Sequence, residues 1–304
     1  MIQYAPTPTD RAPVPGSYQA EPRYLGYRQD DTAKPYAKYF RTDCLPFQDH
    51  VREVLIAGMA PTEYAYGVED AARIMSRAGH HKMETGYTRA PGGWMINVLT
   101  DMPNVTAEMW DWWFGWHSCE SARYKLWHPD AHQFTAVGEN RSADRTLTDR
   151  QRYVGNVSYA DEYVGGTMQR LAIRFIDPTR LGFDEPAPGN TVICARVGLS
   201  QYPVAMGWLI HQIRPTDHGC EMRSRFFLND SQMLDLPAHS VTGRGTPLLT
   251  GKASRKIGDT VLPRVISKAM GPNVGYDMAV HCASEMNHLA SFLPDLHQEF
   301  NGAP

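Results

Sequence analysis

A histidine and a glutamate lie one helical turn apart near the end of the chain. His281 and Glu285 stand in "MAVHCASEMNHLASFL", residues 278–293, where apolar residues recur at helical spacing. Residues four apart share one helix face, so both side chains point toward the face that Leu289 and Phe292 would bury. Imidazole nitrogen and carboxylate oxygen are both zinc ligands. The pattern indicates either a metal site or a plain histidine–glutamate contact at the surface.

A second segment offers two more candidate histidines. "ARYKLWHPDAHQFTA", residues 122–136, holds His128 and His132 close to Tyr124. His132 begins an alternating pattern that is typical of a strand, whereas the following Pro129 biases His128 toward an extended turn. The functional interpretation is a metal ligand that projects inward from a strand. The alternative is an aromatic-rich turn with a structural histidine.

Acidic residues occupy a third segment. "GNVSYADEYVGGTMQRLAIRF", residues 155–175, places Asp161 and Glu162 between two strand-like runs. One of them is a candidate carboxylate ligand at a strand end, although acidic residues are also common in a plain hairpin turn. His211 lies in another predicted strand, where it either lines a pocket or is satisfied inside the sheet.

Composition excludes several classes of function. The 304 residues include 30 basic and 33 acidic ones, so neither sign dominates, and we expect no nucleic-acid or membrane partner. The five cysteines form no Cys-x-x-Cys motif, which argues against a disulfide framework and against a thiolate zinc site. We therefore expect a reducing, cytoplasmic location, and no segment approaches the roughly 20 apolar residues of a membrane span.

The periodicity predicts helices first, then mostly strands, then one long helix. Helices are predicted over 46–59, 68–79, 104–119 and about 271–292, and strands over 92–102, 132–137, 154–160, 165–176, 191–200, 203–213 and 220–228. Residues 229–270 are expected to be irregular or partly helical. This order predicts an α+β architecture in which a curved antiparallel sheet grips a long C-terminal helix.

The N-terminal part has a different composition from the rest. It is rich in proline and tyrosine, which leaves little room for regular structure. We therefore divide the chain into an extended arm with a small helical unit, residues 1–85, and a larger second domain, residues 86–304. Packing of the arm on a neighbouring chain through its tyrosines would make the protein a homodimer; these are Tyr24, Tyr27, Tyr36 and Tyr39.

With these segments in view, the chain resembles the 2,4-diacetylphloroglucinol hydrolase family, which includes phloretin hydrolase-like enzymes. The resemblance rests on "RYKLWHPDAH", on "YADEYVGG" with "IRFIDPTRLGF", and on "HCASEMNHLASFL". It implies a helix-grip domain of the Bet v 1-like or START-like kind behind a small helical N-terminal unit. It also implies one zinc ion per chain, held by His132, Glu162, His281 and Glu285. His128 lies near enough to His132 to be the alternative first ligand.

The resemblance further implies the reaction. The family hydrolyses the carbon–carbon bond between a phenolic ring and an acyl group, so the expected substrate is a small aromatic ketone. Tyr124 would contact the ring hydroxyls, and His128 would help to orient them or to move their protons. Zinc would polarise the acyl carbonyl and acidify a water molecule. Two other functions remain open: a carrier of a hydrophobic aromatic ligand without metal, and a non-heme iron oxygenase.

Overall fold

The computed structural model describes residues 14–228, 230–234, 236, 266 and 271–302. None of the helices in this described part is long and apolar enough to cross a membrane. They are α1 (Ser17–Ala20), α2 (Gln29–Thr32), α3 (Asp49–Ala57), α4 (Ala71–Met75), α5 (Ala107–Trp116), α6 (Ser121–Trp127), α7 (Asp149–Tyr153), α8 (Val274–Ala290) and α9 (Leu293–Phe300).

One antiparallel sheet of nine strands dominates the described residues. Its strands are β1 (Gly86–Ala90), β2 (Gly93–Pro103), β3 (His132–Val137), β4 (Val157–Val164), β5 (Thr167–Ile176), β6 (Thr191–Leu199), β7 (Val204–Thr216), β8 (Gly219–Leu228) and β9 (Gln232–Met233). The spatial order is β1-β2-β8-β7-β6-β5-β4-β3, and β9 pairs with β7. Strands β3 to β8 therefore form a meander, and the long-range pairing of β2 with β8 adds the first hairpin to it.

The turn between β4 and β5 fixes the register of the strand that carries Glu162. Val164 pairs with Thr167, so Gly165 and Gly166 alone form the turn. Gly165 has φ of 57°, in the left-handed region that tight two-residue hairpins require. A Cβ atom at Gly165 would also lie 2.6 Å from the Asp277 carboxyl carbon. Glycine at this position therefore lets α8 approach the hairpin closely.

Aromatic side chains of α5 form the centre of the core. Trp110, Trp112 and Trp113 are almost completely buried, and Phe114 joins them in the same cluster. Helix α5 lies against β6 and β7, while α8 lies against β1, β2 and β4. The hydrophobic effect thus holds two separate helices against different parts of the sheet.

The prediction of an α+β helix-grip fold is wrong. The described chain is a sheet-rich fold, built on the nine-stranded antiparallel sheet with mostly short helices. The predicted helix at 271–292 is instead the 17-residue α8, which lies against β1, β2 and β4. Because α5 lies against β6 and β7, no single C-terminal helix is gripped by the whole described sheet.

Other predicted elements agree with the structure to different degrees. All seven predicted strands are present with shifts of a few residues, and the strand at 132–137 matches β3. The helix predicted over 68–79 is a single 3₁₀ turn followed by the five-residue α4. Most of 229–270 lies outside the described residues. The division at residue 85 remains a prediction.

Tyrosines of the N-terminal arm pack on their own chain. Tyr27 donates a hydrogen bond to the carbonyl of Ala122 at 2.5 Å. Tyr36 is buried, with its ring edge-on to Trp116 at a centroid distance of 5.3 Å. These contacts occupy side chains that the sequence assigned to a partner. The homodimer therefore remains a prediction without that support.

A buried ion cluster joins the segment before β1 to the middle of the sheet. Arg223 and Arg225 on β8 have no exposed surface, and both guanidinium groups bind the Glu84 carboxylate. Arg223 donates two of these hydrogen bonds, at 2.7 and 3.1 Å. Burial alone would raise the pKa of Glu84, but the two guanidinium groups lower it to about 2. The carboxylate therefore stays charged and is the shared counter-ion of two buried guanidinium groups.

We expect Glu84→Gln to lower the free energy of unfolding at pH 7 by about 3–5 kcal/mol, because it leaves both arginines buried without a counter-charge. The pKa of Glu84 in the folded protein lies below its ordinary value of 4.5. The stabilisation by the Glu84 carboxylate is therefore present above pH 4.5 and is lost as the pH falls toward 2. Urea unfolding at several pH values measures both effects. Glu139→Gln, at an exposed ion pair with Arg141, is the control and should change little. Equal losses in the two variants would contradict the prediction.

Candidate functional site

Three elements bring four candidate ligands together. His132 is the first residue of β3 and pairs across the sheet with Glu162 on β4. His281 and Glu285 lie one turn apart on α8, which contacts β4. A register shift between His132 and Phe134 changes the strand's alternation next to the site. All four ligand candidates are buried.

The four side chains surround a common centre. The Nε2 atom of His132 lies 3.6 Å from a Glu162 oxygen and 3.5 Å from a Glu285 oxygen. The Nε2 atom of His281 lies 3.8 Å from Glu162 and 3.7 Å from Glu285. Ligand atoms of His132, Glu162 and His281 all lie within 4.8 Å of one another. Separations of this size suit side chains that share one metal ion, and Glu285 lies next to this group of three, close to both imidazoles.

The orientation of His132 leaves one nitrogen free for a ligand. Its Nδ1 lies 3.0 Å from the backbone carbonyl of Tyr124, which only accepts hydrogen bonds, so Nδ1 carries the proton. Nε2 then has a lone pair, is buried and has no hydrogen-bond partner among the residues that the structure describes. Tyr124 also stacks on this imidazole at a centroid distance of 3.7 Å. An orphaned lone pair beside two carboxylates fits a bound cation.

Burial sets the charges at this centre. It raises the pKa of Glu162 to about 7, and it raises that of Glu285 well above the usual value, with the Glu162 charge adding to the effect. Burial also lowers the pKa of His132 far below its usual value and that of His281 to about 4. Among the described residues, no lysine or arginine forms an ion pair with either glutamate. Two buried carboxylates and two neutral imidazoles therefore form a set that a divalent cation would neutralise.

A cavity of about 110 Å³ opens onto the centre. Its walls are mostly apolar and include Phe114, Trp127 and Phe226, while Glu162 and Glu285 face it at one end. Such apolar walls suit a flat aromatic ligand. The site therefore combines a candidate metal centre with an aromatic binding cavity.

Tyr124 and His128, the two predicted catalytic residues, have different positions. Tyr124 lines the cavity, and its hydroxyl donates a hydrogen bond to Glu162. Burial raises the pKa of Tyr124 well above 10, so the hydroxyl keeps its proton. The residues that line the described cavity do not include His128. Its ring instead stacks on His281 at a centroid distance of 4.8 Å.

The neighbouring candidate ligands Asp161 and Glu162, and likewise His128 and His132, have different surroundings in the structure. Of the two adjacent acidic residues, Glu162 faces the cavity, whereas the Asp161 carboxylate binds Arg23 at 2.9 Å. Of the two neighbouring histidines, His132 lies between the glutamates, as preferred, while Nδ1 of His128 contacts the Cys44 thiol at 3.3 Å. Glu162 and His132, rather than Asp161 and His128, thus lie beside His281 and Glu285, and their role as ligands stays a prediction.

Sequence reasoning missed several polar groups of the cavity. His117 and Gln169 line it, and no spacing signal distinguishes them from structural residues. His117 follows the tryptophans of α5 and was indistinguishable from an ordinary residue at a helix end. Both interpretations of His211 agree with the structure. It lines the cavity, and it is also hydrogen-bonded inside the sheet, with its Nδ1 2.8 Å from the Ser224 hydroxyl.

Taken together, the sheet, the apolar cavity and the buried histidine–glutamate centre define an enzyme with a candidate metal site that acts on a small molecule. Residues 67–298 match the family described as the DAPG hydrolase PhiG domain. The chain belongs to this family. This membership confirms the predicted resemblance and the predicted enzyme class, a hydrolase acting on carbon–carbon bonds in ketones.

The chain is similar in sequence to curated relatives along most of their length. The chain is 32% identical over 279 residues to a 2,4-diacetylphloroglucinol hydrolase of a Pseudomonas species, covering 89% of this chain and 90% of that protein. The protein of the same name from Pseudomonas protegens is also 32% identical, with coverage of 89% and 86%. Phloretin hydrolase from Eubacterium ramulus is 27% identical over 282 residues, with coverage of 90% and 93%.

We expect Glu162→Gln to raise the free energy of unfolding of the metal-free protein at pH 8 by on the order of 3 kcal/mol. This figure is the cost of ionising a buried carboxyl group whose pKa burial raises from 4.5 to about 7, and glutamine removes that cost. Because the folded pKa is raised, the carboxyl group contributes most below pH 4.5, and this contribution is lost as the pH rises through 7. Thermal unfolding after chelation measures the difference, which should vanish at pH 4.5. With saturating metal, the parent should instead be more stable than Glu162→Gln. A metal-free variant that is less stable than the parent at pH 8 would refute this account.

Proposed function

We propose that the protein is a zinc-dependent hydrolase that cleaves the carbon–carbon bond between a phloroglucinol-type ring and its acyl group, releasing a carboxylic acid. The observation that carries this proposal is the buried centre of two histidines and two glutamates at the end of an aromatic cavity. The names of the relatives support the substrate class, because diacetylphloroglucinol and phloretin both carry an acyl group on a phenolic ring through carbon.

One zinc ion per chain would be held by His132, Glu162, His281 and Glu285. Nitrogen and oxygen donors without sulfur suit a catalytic zinc, and two carboxylates would neutralise its charge. The unprotonated Nε2 of His132 supports this assignment, because it has no hydrogen-bond partner within the described part of the chain. When bound there, zinc would polarise the acyl carbonyl and lower the pKa of a water molecule.

The cavity would hold the phenolic ring against aromatic walls. Its polar groups are few, and the imidazoles of His117 and His211 with the amide of Gln169 are the ones suited to ring hydroxyls. Burial lowers the pKa of both imidazoles to about 3, so they are neutral hydrogen-bonding groups at neutral pH. Neutral partners orient the hydroxyls without placing a fixed charge in the cavity.

The main chemical difficulty is the departure of a ring carbon. Protonation of that carbon, or tautomerisation of the ring to its keto form, lets the bond break without a free carbanion, and ortho and para hydroxyls make this possible. Tyr124 keeps a proton at its hydroxyl and donates it as a hydrogen bond toward Glu162. We propose that Tyr124 orients the ring and relays its hydroxyl proton. We also propose that His128 supports this role of Tyr124 through its contact with His281.

The decisive experiment is anaerobic incubation with an acylphloroglucinol in ¹⁸O-labelled water. We expect free carboxylic acid carrying one labelled oxygen and the deacylated ring, and the same ketone with methylated ortho hydroxyls should be inert. Oxygen consumption, or label that enters from O₂, would replace the hydrolase by an iron oxygenase. Tight binding of the acylphloroglucinol without turnover in the zinc-loaded protein would indicate a carrier instead of a hydrolase.

We expect Tyr124→Phe to keep its zinc, because the ring can still stack on His132, and to lose roughly 10²–10⁴-fold in kcat. Metal analysis and steady-state kinetics check the two halves of this prediction. Tyr153→Phe is a matched control, since Tyr153 is also buried and donates to a carboxylate, that of Asp111 at 2.5 Å. Unchanged turnover in Tyr124→Phe would remove this residue from the mechanism.

Alanine at each proposed ligand should lower bound zinc and activity together; the positions are His132, Glu162, His281 and Glu285. Zinc content per chain and turnover are measured on the same samples. His218→Ala, at an exposed histidine on the turn between β7 and β8, is the control. Full zinc in His132→Ala combined with loss of zinc in His128→Ala would show that the wrong histidine was chosen.

A further inference from the structure

A second cluster of ligating side chains surrounds His128, and none of its residues lines the described cavity. Cys44 precedes α3, His128 follows α6, and Asp130 lies in the loop that leads to β3. The Cys44 sulfur is 3.3 Å from Nδ1 of His128. One possible ligand atom from each of the three residues lies within 4.8 Å of the others. Sulfur, nitrogen and oxygen donors thus converge beside His128, and the proposed reaction uses neither Cys44 nor Asp130.

Backbone contacts hold this cluster in place. The Cys44 amide donates to an Asp130 oxygen at 3.1 Å, and the next amide, that of Leu45, donates to Nδ1 of His288 at 3.2 Å. Two consecutive amides are therefore fixed by partners from distant parts of the chain. The thiol is preorganised against the imidazole, which lowers the entropic cost of binding a ligand there.

The geometry suits a tetrahedral cation better than a nucleophile. Sulfur and nitrogen ligands of one zinc ion are separated by roughly 3.6 Å, given bond lengths of about 2.3 and 2.0 Å. The observed separation is 3.3 Å. Burial raises the pKa of the Cys44 thiol and lowers that of His128 to about 3, so the pair is not a reactive thiolate and imidazolium.

Charge and access also favour a cation. Beyond burial, the carboxylates of Asp130, Glu285 and Asp43 all raise the pKa of the Cys44 thiol, so the sulfur lies in a negative field. His128 is mostly buried, Cys44 is half-buried and Asp130 is exposed. A cation can therefore reach the cluster from solvent on the Asp130 side, with water completing its coordination.

We infer that Cys44, His128 and Asp130 form a second, weaker site for a thiophilic divalent cation such as Zn²⁺ or Cd²⁺, and that its occupation inhibits the enzyme. On binding, the Cys44 S–H bond breaks, its proton goes to solvent, and a sulfur–metal bond forms without any oxidation. The ring of His128 stacks on His281, so the added charge acts directly on a proposed ligand of the catalytic metal. The inhibitory part of this inference rests on the proposed function.

Cadmium titration tests the binding site in the protein already loaded with one zinc. Thiolate bound to Cd²⁺ gives an ultraviolet charge-transfer band, whereas the catalytic centre has no sulfur donor. We expect one further equivalent to bind with this band, and Cys44→Ser should abolish it. Asp130→Asn should weaken cadmium binding at least about tenfold. Cys119→Ser, at the other half-buried cysteine, is the control and should keep the band.

Activity is measured separately, at one equivalent and at excess zinc. We expect excess zinc to inhibit the parent and Cys119→Ser, but to have at least about tenfold less effect on Cys44→Ser. Cys44→Ser should match the parent at one equivalent. A band that persists in Cys44→Ser would overturn the site, and binding without inhibition would overturn its inhibitory role. A charge-transfer band in a protein without hydrolase activity would instead refute only the proposed function.

Discussion

The structure depends on the confinement of two buried glutamates and two buried histidines in one small volume. Glu162 and Glu285 each lie within 4 Å of both imidazoles, and burial raises the pKa of both carboxyl groups. Unpaired carboxylates in such surroundings are costly, so the arrangement requires either protons or a cation. The pairing of β3 with β4 and the approach of α8 to the Gly165 turn together create this confinement.

Tyr124 connects the backbone of the site with its chemistry. Its carbonyl accepts the proton of His132 Nδ1, its ring stacks on the same imidazole, and its hydroxyl donates to Glu162. One residue thus sets the tautomer of one proposed ligand and holds a proton beside another. Because α6 places all three groups, a small displacement of this helix would change ligand orientation and proton position together.

Sequence patterns predicted local structure better than the assembly of the fold. Alternation located β3 at its observed residues, and the spacing of His281 and Glu285 anticipated their common face on α8. Periodicity does not specify which helix covers which strands, so the space filled by the tryptophans of α5 was assigned to a C-terminal helix. His117 and Gln169 were missed because single polar residues beside aromatic ones have no distinctive spacing. The choice between Asp161 and Glu162 required the register of a hairpin.

Adjacent acidic residues on β4 point to opposite faces of the sheet. Asp161 is almost fully buried, its charge raises the pKa of Glu162, and its carboxylate binds Arg23 of the N-terminal arm. Tyr18, from the same arm, also donates to Asp161 at 3.4 Å. The arm therefore offsets a negative charge directly behind a proposed ligand. Proteolytic removal of the chain up to Arg23 would leave that charge uncompensated, and so would alter the electrostatics of the centre without touching the cavity.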